Sequence, residues 1–203
     1  MACLPRWWPT TGPCSTGFSP RRRWISPADQ LPAWIWGRQA DGGFGVLDRN
    51  SASDADLWIA YTLVEAGRLW KEPGFAVLGE RLAGRILANE AVQIPGLGWT
   101  ILPGSIGFHI SESVWRLNPS YLPPQVLRGI ATALPQQREW RDVVASSLAV
   151  LLHTAPNGFS PDWVLYQVTE DSGGFIPDTL TRAEGSYNAI RVYLWTGMVS
   201  TSA

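Results

Sequence analysis

The chain has 203 residues, 45% of them apolar and 16% charged, with 17 acidic against 16 basic side chains and a formal charge of −1. That length and apolar share suit one globular domain with a sizeable core and exclude a disordered chain. The near-neutral balance argues against a nucleic-acid partner, or an anionic membrane, held by bulk electrostatics.

Residues 1–30 contain five prolines and three consecutive arginines and show neither helical nor strand periodicity, so they are expected to form a non-native or disordered segment. From LPAWIWG onward the pattern is coherent and predicts a domain over residues 31–203. A helix is expected over about residues 53–70 and a second over about 74–91, followed by the Gly/Pro-rich connection IPGLGWTILPGSIGF. A third begins at Pro123 and Pro124, where proline suits the first turn, and runs to about Leu134. The fourth is WRDVVASSLAVLLHTA and the fifth SYNAIRVYLWTGM, with long loops between the pairs. The expected fold is all-α, a chain of helical hairpins.

Twelve tryptophans are far more than a chain of this size usually carries, and indole serves both as core filling and as a flat platform for ligands such as sugars. Trp115, Tyr121 and Trp163 fall in Pro-rich loops, where packing explains an aromatic less well than a ligand does. Asn118, Asp162 and Asn188 are further polar candidates in these loops. Cys3 and Cys14 lie in the aperiodic start, and with two histidines and no CxxC pair no disulfide framework, metal site or cofactor is expected. His109 and His153 have no nucleophile or ligand partner at suggestive spacing and are expected to be ordinary histidines. No apolar run approaches the roughly 20 residues of a membrane span, and MACLPRWWPTTGPCS lacks the features of a signal peptide.

In NSASDADLWIAYTLVEAGRLW, Asp54 and Asp56 sit at the mouth of an apolar helix. Acids there favour the helix dipole by roughly 0.3–1 kcal/mol each, and Ser51 or Ser53 can cap the free N–H groups. Two residues apart means about 200° of rotation, so the two acids face different ways and one is expected to face a cleft. Arg191 follows Asn188 by three positions on one helical face, which suits a hydrogen-bonded pair or a core edge.

ASDADLWIAYTLVEAGRLW resembles the signature of glycoside hydrolase family 8, with Thr62 where the family usually has Ser or Ala. NPSYLPP at 118–124, GFSPDWV at 158–164 and SYNAIRVYLWTGM at 186–198 are similar, in the same order, to segments of the endo-1,4-β-glucanase that accompanies bacterial cellulose synthase. The resemblance spans about residues 31–198. It implies an (α/α)6 barrel, here incomplete, an aromatic-lined groove and hydrolysis of β-1,4-glucan with inversion. It also implies a periplasmic or secreted location and a functional association with cellulose synthase.

Inversion needs a general acid and a general base with carboxyls roughly 6.5–9.5 Å apart. By resemblance, Asp54 matches the carboxylate that holds the sugar at the point of cleavage, leaving Asp56 to cap or brace. Trp115, Tyr121, Trp163, Tyr187 and Arg191 are the expected substrate-binding residues. The family's acid lies in a segment like SEGQSYG, which is absent here, and its base is the Asp of S-Y-D-A-I-R, a position held by Asn188. An amide cannot accept a proton at useful pH, so the chain is expected to be catalytically impaired, unless Glu170, Asp171 or Glu184 substitutes. Trp7-Trp8-Pro9 read one codon register over gives Val-Ala, and permitted codons turn Pro5 to Pro20 into a string like a family helix, so a frameshifted start to a truncated domain is expected.

Overall fold

The computed structural model describes residues 31–199; the expectations for residues 1–30 lie outside them. The five expected helices are present: α1 (Ser53–Trp70), α2 (Pro73–Asn89), α3 (Pro124–Ala133), α4 (Glu139–Thr154) and α5 (Tyr187–Gly197). The all-α expectation, and with it the incomplete (α/α)6 barrel of helical hairpins, is overturned by eight strands among the described residues. Two hairpins, β1 (Ile35–Arg38) with β2 (Phe44–Asp48) and β3 (Ala91–Ile94) with β4 (Gly98–Ile101), stand beside a four-stranded antiparallel sheet. That sheet runs in the order β5 (His109–Ser111), β6 (Val114–Leu117), β7 (Val164–Val168), β8 (Gly173–Pro177).

The physical reason for the miss is strand length and composition. Runs of three to five residues are too short for alternation to stand out. The glycines taken as loop in IPGLGWTI make the β3–β4 turn, with Gly96 and Gly98 at φ 79° and 86°. The central pairing of β6 with β7, Val114 opposite Gln167 and Leu117 opposite Val164, bridges the intervening α3 and α4, and no local pattern announces it.

The helix α1 begins at Ala52, an extended residue without a side-chain cap, so neither Ser51 nor Ser53 caps it as expected. The Ser53 N–H donates instead to the Pro103 carbonyl at 3.1 Å, and Ser51 Oγ engages Ser105. These bonds tie the mouth of α1 to the segment between β4 and β5. At its other end α1 stops on Lys71 in the left-handed region, and Pro73 opens α2 within two residues. The two helices approach through Gly79, where a Cβ would lie 2.7 Å from Val64 Cγ2 and 2.9 Å from the Ala60 carbonyl oxygen.

The core gathers one apolar stripe from each element. Leu57 of α1, Ile86 of α2, Leu117 of β6, Leu127 and Ile130 of α3, and Trp140 of α4 are fully buried in it. The helix α3 packs against α1 and α4, and α4 lies on β4, where Ser146 Oγ donates to the Trp99 carbonyl at 2.6 Å. This packing brings the first turn of α1, the end of β6 and the start of α5 to one place.

Candidate active site

The chain leaves β6 through Asn118, whose Oδ1 accepts from the Ser120 N–H at 3.0 Å and from Ser120 Oγ at 2.7 Å, an Asx turn that starts the 3-10 turn Pro119–Tyr121. The Ser120 carbonyl accepts from Trp195 Nε1 at 3.0 Å, which moors α5 against this turn. The start of α5 is capped from a distance: Asp162 Oδ1 accepts from the Ser186 and Ala189 N–H groups, each at 2.8 Å. Asp162, one of the loop candidates, is therefore a helix cap.

With α5 so held, Arg191 reaches three groups. Its Nη1 pairs with Asp54 Oδ2 at 2.5 Å, and its Nη2 donates to Asn188 Oδ1 and to Ser120 Oγ, both at 2.8 Å. The guanidinium lies 5.1 Å from the centre of the Tyr121 ring. Asp54, Tyr121, Asn188 and Arg191, separated by up to 137 positions in sequence, thus meet in one partly exposed cluster. Burial and the Asp54 charge push the Tyr121 hydroxyl pKa up, against the opposing pull of Arg191.

An aromatic layer continues from Tyr121. Trp163 lies 6.3 Å from it and stacks on Phe108 at 6.0 Å with a 5° interplanar angle. Arg116 covers the Trp163 ring at 4.1 Å and is held by a two-pronged pair with Asp178, both contacts at 3.1 Å. Burial pushes the Asp178 carboxyl up, but hydrogen bonds from Arg116 and Thr181 outweigh it and hold it below the ordinary value.

Two of the expected binding residues stand elsewhere. Trp115 is a buried residue of β6, 6% exposed, stacked on His109 at 4.8 Å and packed in the core, so its ring is not part of the cluster. Tyr187 is exposed at the start of α5, in an open recess with Phe159, Ile190 and Tyr193. Glu170 and Asp171 lie exposed in the β7–β8 turn, and Glu184 lies exposed before α5, joined to Asp162 through its carbonyl.

Asp56 points inward, 2% exposed, and Glu90 just after α2 is fully buried. Burial, reinforced by the Asp54 charge, pushes Asp56 up to about 7; burial likewise pushes Glu90 up to about 9. Asp56 is therefore an interior acid rather than a solvated cap. Sequence reasoning missed Ser120, Arg116, Phe108 and Glu90. Two of them carried a signal: Ser120 follows Asn-Pro two residues on, the spacing of an Asx turn, and Glu90 continues the four-residue spacing of Leu82 and Ile86 on the buried face of α2. Among the described residues no group of three or more His, Cys, Asp or Glu is arranged to hold a metal ion.

Comparisons with known proteins agree with one another. The "Endoglucanase" of Xanthomonas axonopodis pv. citri is 49% identical over 173 residues, covering 85% of this chain and 44% of that protein. The "Endoglucanase" of Escherichia coli K12 is 45% identical over 174 residues, covering 86% and 45%. The crystal structure of an endo-1,4-D-glucanase from Vibrio fischeri superposes with a TM-score of 0.81 at 49% identity, covering 85% of this chain and 49% of that one. The chain thus spans less than half the length of these relatives. The model of the family described as "Glycosyl hydrolases family 8" matches residues 23–203, and the chain belongs to that family.

Proposed function

We propose that residues 31–203 form part of the catalytic domain of an inverting endo-1,4-β-glucanase, that β-1,4-glucan lies along the aromatic layer of Tyr121 and Trp163, and that Asp54 holds the sugar at the point of cleavage. The observation that carries this reading is the convergence of Asp54, Arg191, Asn188 and Tyr121 from three distant segments into one partly exposed cluster, in a chain of this family. Arg191 fixes the direction of the Asp54 carboxylate, and a carboxylate held by a guanidinium keeps its remaining lone pairs for sugar hydroxyls. The parts of the Tyr121 and Trp163 rings that Phe108, Arg116 and Arg191 leave exposed supply the apolar contact that a pyranose ring needs. Where this protein works we place, on the same reading, in the periplasm or outside the cell, in association with cellulose synthase. Among the described residues no helix is long and apolar enough to cross a membrane.

Turnover by this chain alone is proposed to be weak. Asn188 occupies the position of the general base, and its Oδ1 accepts from Arg191, so no proton acceptor of useful basicity stands there. A positioned acid or base contributes about 10²–10⁴-fold each. A second reading, favoured by the same amide, is a β-glucan-binding protein without turnover. Reducing-sugar release from carboxymethyl-cellulose tests both: the chain and its Asn188→Asp variant should release little. Rapid release by the unmodified chain would overturn the assignment and point to Glu170, Asp171 or Glu184 as base.

A further inference from the structure

Ser120 meets the proposed site from a buried position. It is 1% exposed, and Asn118, which starts the same turn, is 2% exposed. The bonds around it have fixed directions. A guanidinium only donates, so in the contact between Arg191 Nη2 and Ser120 Oγ at 2.8 Å the hydroxyl accepts. Its single proton is then left for Asn118 Oδ1 at 2.7 Å. The Ser120 N–H donates to the same Oδ1 at 3.0 Å, which fills both lone pairs of that oxygen and fixes which way the Asn118 amide is turned. The other half of the amide, Nδ2, is buried without a hydrogen-bond partner among the described residues. A buried donor left unpaired costs free energy, and it is tolerated here, where Oδ1 holds Ser120.

The carbonyl of Ser120 acts on the same helix. It accepts from Trp195 Nε1 at 3.0 Å. Arg191 and Trp195 are four positions apart, about one turn of α5, and so lie on one face of it. Ser120 thus seats α5 at two points, and among the described elements α5 packs on this 3-10 turn more than on any other. The other ties of α5 are at its start and on a different face: Asp162 caps the first turn, and the Tyr193 hydroxyl accepts from the Ser160 N–H at 2.9 Å. They do not involve the Arg191 guanidinium. Of its three hydrogen-bond partners among the described residues, Asp54 takes Nη1, while Asn188, on α5 itself, shares Nη2 with Ser120. Ser120 is therefore the partner that ties Nη2 to the end of β6 rather than to its own helix.

We propose that Ser120 is a positioning residue: its hydroxyl aims the Arg191 guanidinium at Asp54, and its carbonyl, through Trp195, sets where α5 stands. The proposal rests on the reading of Asp54 and Arg191 as part of the glucan site. Loss of the hydroxyl alone keeps the carbonyl bond and the Asx turn, yet releases one side of Nη2 and lets the fork swing away from Asp54.

The test is NMR of the whole chain, labelled with 15N at Arg and Trp, with Arg191→Lys and Trp195→Phe assigning the two side chains. In the unmodified chain the two Nη2 protons of Arg191 should give separate signals, because bonded N–H groups exchange slowly by rotation about the Cζ–Nη2 bond. In Ser120→Ala that rotation should be about tenfold faster, the worth of one charge-assisted hydrogen bond, while the Trp195 indole N–H signal stays in place. Unchanged rotation beside an unchanged indole signal would overturn the proposal. Should Ser120→Ala fail to fold, Asn188→Ala decides. There Ser120 is the remaining partner of Nη2, so the rotation should stay slower than in an exposed arginine such as Arg128, and equal rates would overturn the proposal. Calorimetry with cellohexaose should show binding weakened about 3- to 10-fold in Ser120→Ala, and undiminished binding would overturn the positioning role. Absence of binding by the unmodified chain, beside the expected rotation rates, refutes the glucan assignment and not the seat of Arg191.

Discussion

Replacing Arg191 with Met removes the cation that holds the site together while keeping much of the aliphatic stem that packs there. The cost follows from its three contacts. The ion pair with Asp54 is neither buried nor free, with 32% and 20% of the two side chains exposed. It falls between the roughly 0.2–1 kcal/mol of exposed pairs and the roughly 3–5 kcal/mol of breaking a buried one. The bonds to Asn188 and Ser120 add a charge-assisted share, partly recovered by water, so Arg191→Met should lower stability by about 2–3 kcal/mol. Arg191→Lys keeps one point charge and loses the fork, and should cost about 1 kcal/mol less. Urea unfolding measures both, provided the slope with denaturant is unchanged. A double-mutant cycle with Asp54→Asn should return a coupling of about 1–2 kcal/mol; a coupling below about 0.3 kcal/mol would refute the claim that the two side chains act as one unit.

Other outcomes follow from neighbouring features. Asp56 and Glu90 have pKa values raised from 3.8 to about 7 and from 4.5 to about 9, so the folded chain keeps protons that the unfolded chain has shed. Stability should therefore fall as pH rises from about 4 until the folded values are passed; thermal melts from pH 5 to 8.5, about that window, check it, and Glu90→Gln should flatten the slope. Gly79→Ala drives a methyl onto the α1 backbone and should cost about 1–3 kcal/mol, read by urea unfolding. Asp162→Ala removes the acceptor for two α5 N–H groups and should cost about 1–2 kcal/mol, whereas Asp162→Asn should recover most of it.

What could be read from the sequence depended on the range of the signal. Helices carry their pattern locally, and the stripe of Leu57, Ala60 and Val64, like that of Leu82 and Ile86, was visible at once. The strands were invisible because β5 has three residues and because β6 and β7 pair across two helices. The opposed directions of Asp54 and Asp56 followed from rotation alone, but the near-complete burial of Asp56 and Glu90 did not, since it depends on how the elements pack. Trp115 shows the converse error. A tryptophan near prolines looked like a ligand platform, yet it stands at an inward position of β6, where strand alternation buries it. Arg116, at the next position on the opposite face, is the residue that reaches Trp163.

The central claim, that the cluster of Asp54, Tyr121, Asn188 and Arg191 with Trp163 is a β-1,4-glucan site, meets its most direct test in calorimetric titration of cellohexaose into the chain and into its Trp163→Ala and Asp54→Ala variants. The account predicts saturable binding by the unmodified chain, with maltohexaose as a non-binding control. Loss of the Trp163 face should weaken binding by about 1–3 kcal/mol, the range of a stacked aromatic contact together with its buried area, and loss of Asp54 by a comparable amount. Binding unaffected by either substitution, or equal for the two sugars, would contradict it.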